Sequence, residues 1–294
     1  MTDITLLDGG MGQELVHRAG DNSTPLWSTQ VMMDHPGLVA EVHRDYFDAG
    51  ATIATTNTYA IHRDRLTAAG IGDTFESLQA LALKEAHDAK RAGTQIAGSI
   101  GPLIASYRPD IHPDDATATP LYAEVATLLA PAVDLLICET VASVSQAKSA
   151  LAGAKAAGKP VWMAFTVDDE DGTKLRSGEP LADALAVCGS AQALLANCSS
   201  PEALDTAMPI LAQTGLPFGG YANAFTMITK AFLQDSPTVD SLQERRDMGP
   251  EAYAAHVMHW VTQGATIVGG CCEVGPAHIK AIATALRAAG HKVV

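Results

Sequence analysis

Eight short apolar runs recur along the chain, at 4–7, 52–55, 95–99, 135–138, 161–165, 193–196, 217–221 and 266–269. Several are continuous rather than alternating, the pattern of parallel strands covered on both faces. Between them lie longer stretches with helical spacing, at 36–49, 77–92, 121–130, 143–157, 181–188, 201–213, 251–263 and 276–289. In the first of these Leu38, Val39, Val42, Tyr46 and Phe47 share one face. Thr119-Pro120, Ser200-Pro201 and Gly275-Pro276 each set a cap position before a proline suited to the first helical turn. Glycine stops follow at Gly50, Gly93, Gly158, Gly215, Gly264 and Gly290. Eight strands alternating with eight helices predict an α/β chain, with residues 1–294 forming a single (β/α)8 barrel domain. An open doubly wound sheet is the rival architecture. Three long connections, 104–118, 167–180 and 222–250, follow strands; in a barrel they lie at the mouth, as candidate lids or as surface excursions.

Composition narrows the function. Asp and Glu number 33 against 19 Lys and Arg, a formal net charge of −14. No basic cluster exceeds Arg245-Arg246, which argues against a nucleic-acid partner. No apolar run reaches the length of a membrane span, and residues 1–8 lack the basic and apolar regions of a secretion signal. The expectation is a cytoplasmic protein in which the five cysteines do not form a disulfide framework.

In a (β/α)8 barrel chemistry sits at the carboxyl ends of the strands. Here the first run leads into Asp8-Gly9-Gly10-Met11-Gly12 and the fourth into Glu139-Thr140. The sixth leads into Asn197-Cys198-Ser199-Ser200, the seventh ends at Tyr221-Ala222-Asn223, and the eighth leads into Gly270-Cys271-Cys272-Glu273. Adjacent strands are about 4.8 Å apart, so side chains from the sixth and eighth can meet over the seventh. Three thiolates there make a soft site suited to zinc with one tetrahedral position open. Residues alone leave other readings open: one cysteine of the pair facing the core and one the helices, or a vicinal disulfide. Cys138 and Cys188 read as core. Asp8 and Glu139 are either satisfied structural carboxylates or clamps for an amino group. Gly9 and Gly10 offer backbone N–H groups to a carboxylate. The chain has neither a phosphate-binding loop nor a dinucleotide fingerprint, and its histidines lack the His-Glu-x-x-His spacing and are assigned no role.

These strand ends, together with Leu26-Trp27-Ser28, 43–50, Gly98-Ser99-Ile100-Gly101-Pro102 and Pro276 with His278-Ile279, resemble the zinc-dependent homocysteine S-methyltransferases over essentially the whole chain. The resemblance implies the (β/α)8 barrel, Zn2+ on Cys198, Cys271 and Cys272, and homocysteine held by Asp8, Gly9, Gly10 and Glu139. It sets Trp27 near a cationic methyl donor, with Tyr221 and Asn223 as further substrate contacts. Members using S-methylmethionine often read Tyr-Pro-Asn-Ser-Gly where this chain reads Tyr221-Ala222-Asn223-Ala224-Phe225. S-methylmethionine, S-adenosylmethionine, betaine and dimethylsulfoniopropionate are therefore all carried as donors. The implied reaction is direct transfer of a methyl group to the zinc-activated thiol, giving methionine, with no further side chain assigned to catalysis. The short stretch after the last helix favours a monomer. The alternative is a non-catalytic zinc- or thiol-binding, redox-sensing protein on the same barrel.

Overall fold

The computed structural model describes residues 1–20, 26–226 and 245–294. The chain opens with β1 (Asp3–Leu6), α1 (Met11–Ala19), α2 (Ser28–Asp34) and α3 (Leu38–Ala49). It continues through β2 (Ile53–Thr55), α4 (Arg63–Ala68), α5 (Phe75–Ala89), β3 (Gln95–Ile100) and α6 (Asp115–Leu129). Strict alternation follows: β4 (Leu135–Val141), α7 (Val144–Lys155), β5 (Val161–Phe165), α8 (Leu181–Val187), β6 (Ala193–Asn197) and α9 (Pro201–Ala212). The last elements are β7 (Phe218–Ala222), α10 (Pro250–Thr262), β8 (Ile267–Gly270), α11 (Pro276–Ala288) and β9 (Lys292–Val293). The sheet order is β2-β3-β4-β5-β6-β7-β8-β1-β9, and every pairing is parallel. An isolated parallel bridge between Leu7 and Ile53 joins the first strand to the second, so β1 to β8 form the expected ring. Thr52 reinforces that seam, donating its N–H to the Leu6 carbonyl at 2.7 Å. The two-residue β9, too short to read from sequence, pairs with the start of β1.

The continuous apolar strands bury two faces. Leu7, Ile53, Ala97, Ile137, Ala164, Leu195 and Ile267 belong to one cluster that fills the barrel. Their chain neighbours Leu6, Ala54, Ile96, Leu136, Met163, Leu194 and Val268 pack in the other cluster, with the helices. This is the two-residue period of a strand with both faces dry. Cys138 and Cys188 are buried and free in the helix-facing layer. No described helix is long and apolar enough to cross a membrane.

All six glycine stops have left-handed backbone, φ 70–116°. Ser200 caps α9 by accepting from the Ala203 N–H, with Pro201 in the first turn. Pro120 corrects the reading of α6. The helix starts six residues earlier than expected, because Asp114 accepts from the Thr117 N–H, and Pro120 lies inside it. The short helices α1, α2 and α4 were not anticipated; each has nine residues or fewer, too few for a clear helical period. Of the candidate lids, 104–118 is shortened by the early helix and forms cavity wall, and 167–180 folds back through bridges Val167–Leu175 and Lys174–Pro180. Residues 227–244 of the third lie outside the described residues.

The start of α3 is held from a distance. Its cap residue Gly37 has no side chain, and the buried Glu85 of α5 accepts the N–H groups of Gly37 at 2.9 Å and Ala40 at 3.0 Å. A carboxylate is well matched to a helix N-terminus. Replacing Glu85 by Ala strands two amide donors and is expected to cost about 1–3 kcal/mol, seen as a lower denaturant midpoint with an unchanged slope.

Candidate active site

A cavity of about 740 Å³ opens at the carboxyl ends of the strands. Asp8, Gly9, Gly10, Trp27, Glu139, Cys198, Tyr221, Cys271 and Cys272 all line it. Asn223 does not. It is buried with neither side-chain polar atom partnered, and its backbone N–H donates to the Ser199 carbonyl.

Asp8 is 2% exposed and accepts from the Thr55 N–H at 2.8 Å and the Thr55 hydroxyl at 2.9 Å. Burial, reinforced by the negative charge of Glu139, pushes its pKa up to about 8 against the lowering effect of those bonds. His43 Nδ1 lies 3.9 Å from Asp8, but the ring is fully buried and its pKa falls to about 3. The imidazole is therefore neutral, and the contact is not an ion pair. Glu139 accepts from Ser99 and from the Tyr221 hydroxyl at 2.9 Å; burial still raises its pKa. Tyr221 thus orients Glu139, a role its sequence position did not reveal.

Backbone strain aims Glu139. The β4–β5 register slips by one residue between Cys138 and Val141, a bulge, and Thr140 has φ 59°. Asn197 holds this turn: its Oδ1 accepts from the Thr140 N–H at 3.0 Å and its Nδ2 donates to the Thr140 hydroxyl at 3.1 Å. The asparagine directly before Cys198 couples the carboxylate wall to the cysteine wall, and its place in the Asn-Cys pair was the available signal.

The ends of β6 and β8 converge over β7. Cys198 N–H donates to the Tyr221 carbonyl and Cys271 N–H to the Ala222 carbonyl. The two Cα atoms are 5.8 Å apart with their sulfurs in contact, and Cys272, a free thiol, lines the same cavity. Strand convergence brings these two residues, 73 apart in sequence, within reach of each other. Cys198 has φ 48°, and its carbonyl accepts from the Thr166 hydroxyl at 3.1 Å. Arg176, paired with Asp169 at 2.8 and 2.9 Å, also donates to Thr166 at 3.2 Å. The 167–180 segment is therefore a clamp on the Cys198 turn. Cys272 keeps some solvent contact, but burial and the neighbouring Glu273 and Glu139 push its thiol up to about 12. A thiolate there needs a cation beside it.

Gly10 does not offer its N–H to a ligand, because that group donates to the Val274 carbonyl at 2.9 Å. Its reason is close approach: a Cβ there would fall 2.5 Å from the Cys271 carbonyl oxygen. Gly12 likewise makes room for Trp27, whose Cζ2 would lie 2.1 Å from an added Cβ. The indole donates to Gln13 at 2.9 Å, Gln13 donates to Glu273 at 2.8 Å, and the ring meets Tyr59 edge-on at 6.3 Å. Tyr59 and Tyr107 also line the cavity, an aromatic surface that sequence reasoning missed.

As for the cation, the donor set is three sulfurs on one cavity wall. As thiolates they would be a soft, trianionic set of the kind zinc takes, although among the described residues no group of three ligating side chains is gathered to hold a metal ion.

A family model described as homocysteine S-methyltransferase matches residues 5–286. The homocysteine S-methyltransferase of Escherichia coli K12 is 31% identical, the match covering 95% of this chain and 94% of that protein. The selenocysteine Se-methyltransferase of Brassica oleracea var. italica is 26% identical over 94% of this chain and 87% of its own. Crystal structures of the homocysteine methyltransferase MmuM from Escherichia coli superpose with TM-scores of 0.81 for the metallated form and 0.82 for the oxidized form. Each is 28% identical and covers 97% of this chain and 96% of that one.

The raised pKa of Asp8 has a consequence for stability. In the unfolded chain the carboxyl ionises near 3.8, in the fold near 8. Between those values the native state keeps a proton that the unfolded state releases, so this contribution to stability falls as pH rises. Asp8→Asn is expected to gain Tm relative to wild type between pH 5 and pH 9. An equal difference at both pH values in thermal melts would show a carboxyl that titrates as it does in water.

Proposed function

The chain belongs to the homocysteine S-methyltransferase family, and we propose that it transfers a methyl group from an onium donor to the thiol of homocysteine, giving methionine. The observation that carries this reading is the pairing, in one cavity, of three cysteines with two buried carboxylates that have no cationic partner among the described residues. An α-amino acid bearing a thiol matches both walls. Its ammonium replaces the missing counter-ion of Asp8 and Glu139, and Thr55, Ser99 and Tyr221 keep those carboxylates pointed at it. Its sulfur is thereby directed to the wall formed by Cys198, Cys271 and Cys272.

Cys198, Cys271 and Cys272 in reduced form would hold zinc, which supplies Lewis acidity that keeps a substrate thiol deprotonated near neutral pH. The metallated form of the Escherichia coli MmuM structure supports a metal; the choice of zinc rests on the sulfur donors. In the transfer, the thiolate lone pair forms the new S–CH3 bond while the bond from that methyl to the onium sulfur or nitrogen breaks. The bonding pair stays on the donor, whose positive charge disappears. Trp27, Tyr59 and Tyr107 suit the onium head by cation–π attraction and exclude water from the reacting atoms. A reducing cytoplasm is the matching compartment, since the three thiols must stay reduced. The plant selenocysteine methyltransferases among the relatives favour one second acceptor, a selenol amino acid, at the same site.

Reduced, zinc-loaded protein is expected to form methionine from homocysteine with one of S-methylmethionine, S-adenosylmethionine, betaine and dimethylsulfoniopropionate. Chelation should abolish turnover and zinc restore it, and Cys272→Ser should lower it by about a hundredfold or more. Full turnover after metal removal would overturn the reading. Homocysteine binding with no turnover on any donor would favour the binding-protein alternative.

A further inference from the structure

A second unmatched charge faces the same cavity. Arg65 of α4 lines it, and its Nη2 donates to the Pro102 carbonyl at 2.6 Å, while its buried Nε has no acceptor. No carboxylate among the described residues pairs with it. Its chain neighbour Asp64 instead accepts from the Ile104 N–H. The other arginine on the wall, Arg108, is already bound to Asp110 through two nitrogens, each at 2.8 Å. The Arg65 guanidinium carbon lies 5.7 Å from the centroid of the Tyr59 ring, the ring that Trp27 meets edge-on. Asp8 is bonded to Thr55 at the end of β2, and Glu139 to Ser99 in β3. Arg65 leans on Tyr59 and Pro102, further along the two connections that leave those strands. The cavity thus holds two carboxylates short of a cation and, at Arg65 beside the Tyr59 ring, a cation short of an anion.

We propose that Arg65 binds the carboxylate of the methyl donor, so that this chain selects onium compounds that carry a carboxylate. The inference rests on the transfer reaction above and names a specificity residue for it. The onium head lies against the Trp27–Tyr59 surface, and the donor's carboxylate forms a charge-assisted pair with the guanidinium beside it. The acceptor's ammonium sits at Asp8 and Glu139, so the two substrates are sorted by the sign of the charge that each set of groups lacks.

The test reads binding, not turnover. Calorimetry on reduced, zinc-loaded protein gives Kd for the tightest-binding of the four onium donors, for its methyl ester and for homocysteine, in wild type, Arg65→Gln and Arg65→Lys. The expected result is a rise of about tenfold or more in Kd for the carboxylate donor in Arg65→Gln. Wild type should discriminate against the ester by a similar factor, whereas Arg65→Gln should bind acid and ester alike. Homocysteine Kd should stay unchanged, and Arg65→Lys should recover part of the donor affinity. An equal loss for acid and ester would overturn the proposal and leave Arg65 a structural residue. A rise confined to homocysteine would overturn it by assigning the guanidinium to the acceptor, and so would failure of wild type to bind any of the four donors. Absence of methionine formation, by contrast, would count against the transfer reaction and leave the Arg65 result standing.

Discussion

Asp8 and Glu139 are buried in one cavity, where burial raises the pKa of both and the charge of Glu139 further disfavours ionisation of Asp8. Hydrogen bonds from Thr55, Ser99 and Tyr221 orient these carboxyls but supply no positive charge. The nearby His43 is neutral, so it supplies none either. Cys272 adds a third group that resists ionisation in the same place. A mouth with this much latent negative charge is poorly satisfied alone and well satisfied by cations. The architecture around it, from the bulge in β4 to the Asn197 tie across to Thr140, keeps those groups aimed at a common space.

The cysteine wall depends on a different constraint, the convergence of two strand ends over a third. Cys198 is held by its left-handed turn, by Thr166 and by the Arg176–Asp169 pair. Cys271 is held by the edge of β7 and by the close approach of Gly10. That convergence is what sets the sulfurs of Cys198 and Cys271 in contact at the cavity.

Much of this was legible in the sequence because barrel strands announce themselves. Runs such as 135–138 and 193–196 are continuously apolar because alternate residues pack inward and outward. The residues immediately after them, among them Asp8, Glu139 and Cys198, must then fall on one rim. What escaped was set by tertiary contact. Pro120 reads as a helix start, but Asp114 caps the helix earlier. Gly10 reads as a free amide, but the Val274 carbonyl takes it. Asn223 reads as a companion to Tyr221, and strand alternation would keep the two on one face, but β7 ends at Ala222 and Asn223 is buried outside the cavity lining, while Tyr221 faces Glu139. Arg65 carries no motif, and only the packing of the β2 and β3 connections sets it over the Tyr59 ring, which in turn meets Trp27.

The central claim is that one cavity holds the acceptor by its ammonium and presents its sulfur to the cysteine wall. X-ray absorption at the zinc edge tests this most directly, on reduced, zinc-loaded protein before and after homocysteine is added. The account predicts three sulfur neighbours at about 2.3 Å becoming four, with the change lost in Asp8→Asn at the same homocysteine concentration. A shell that stays at three sulfurs while homocysteine is bound would contradict it.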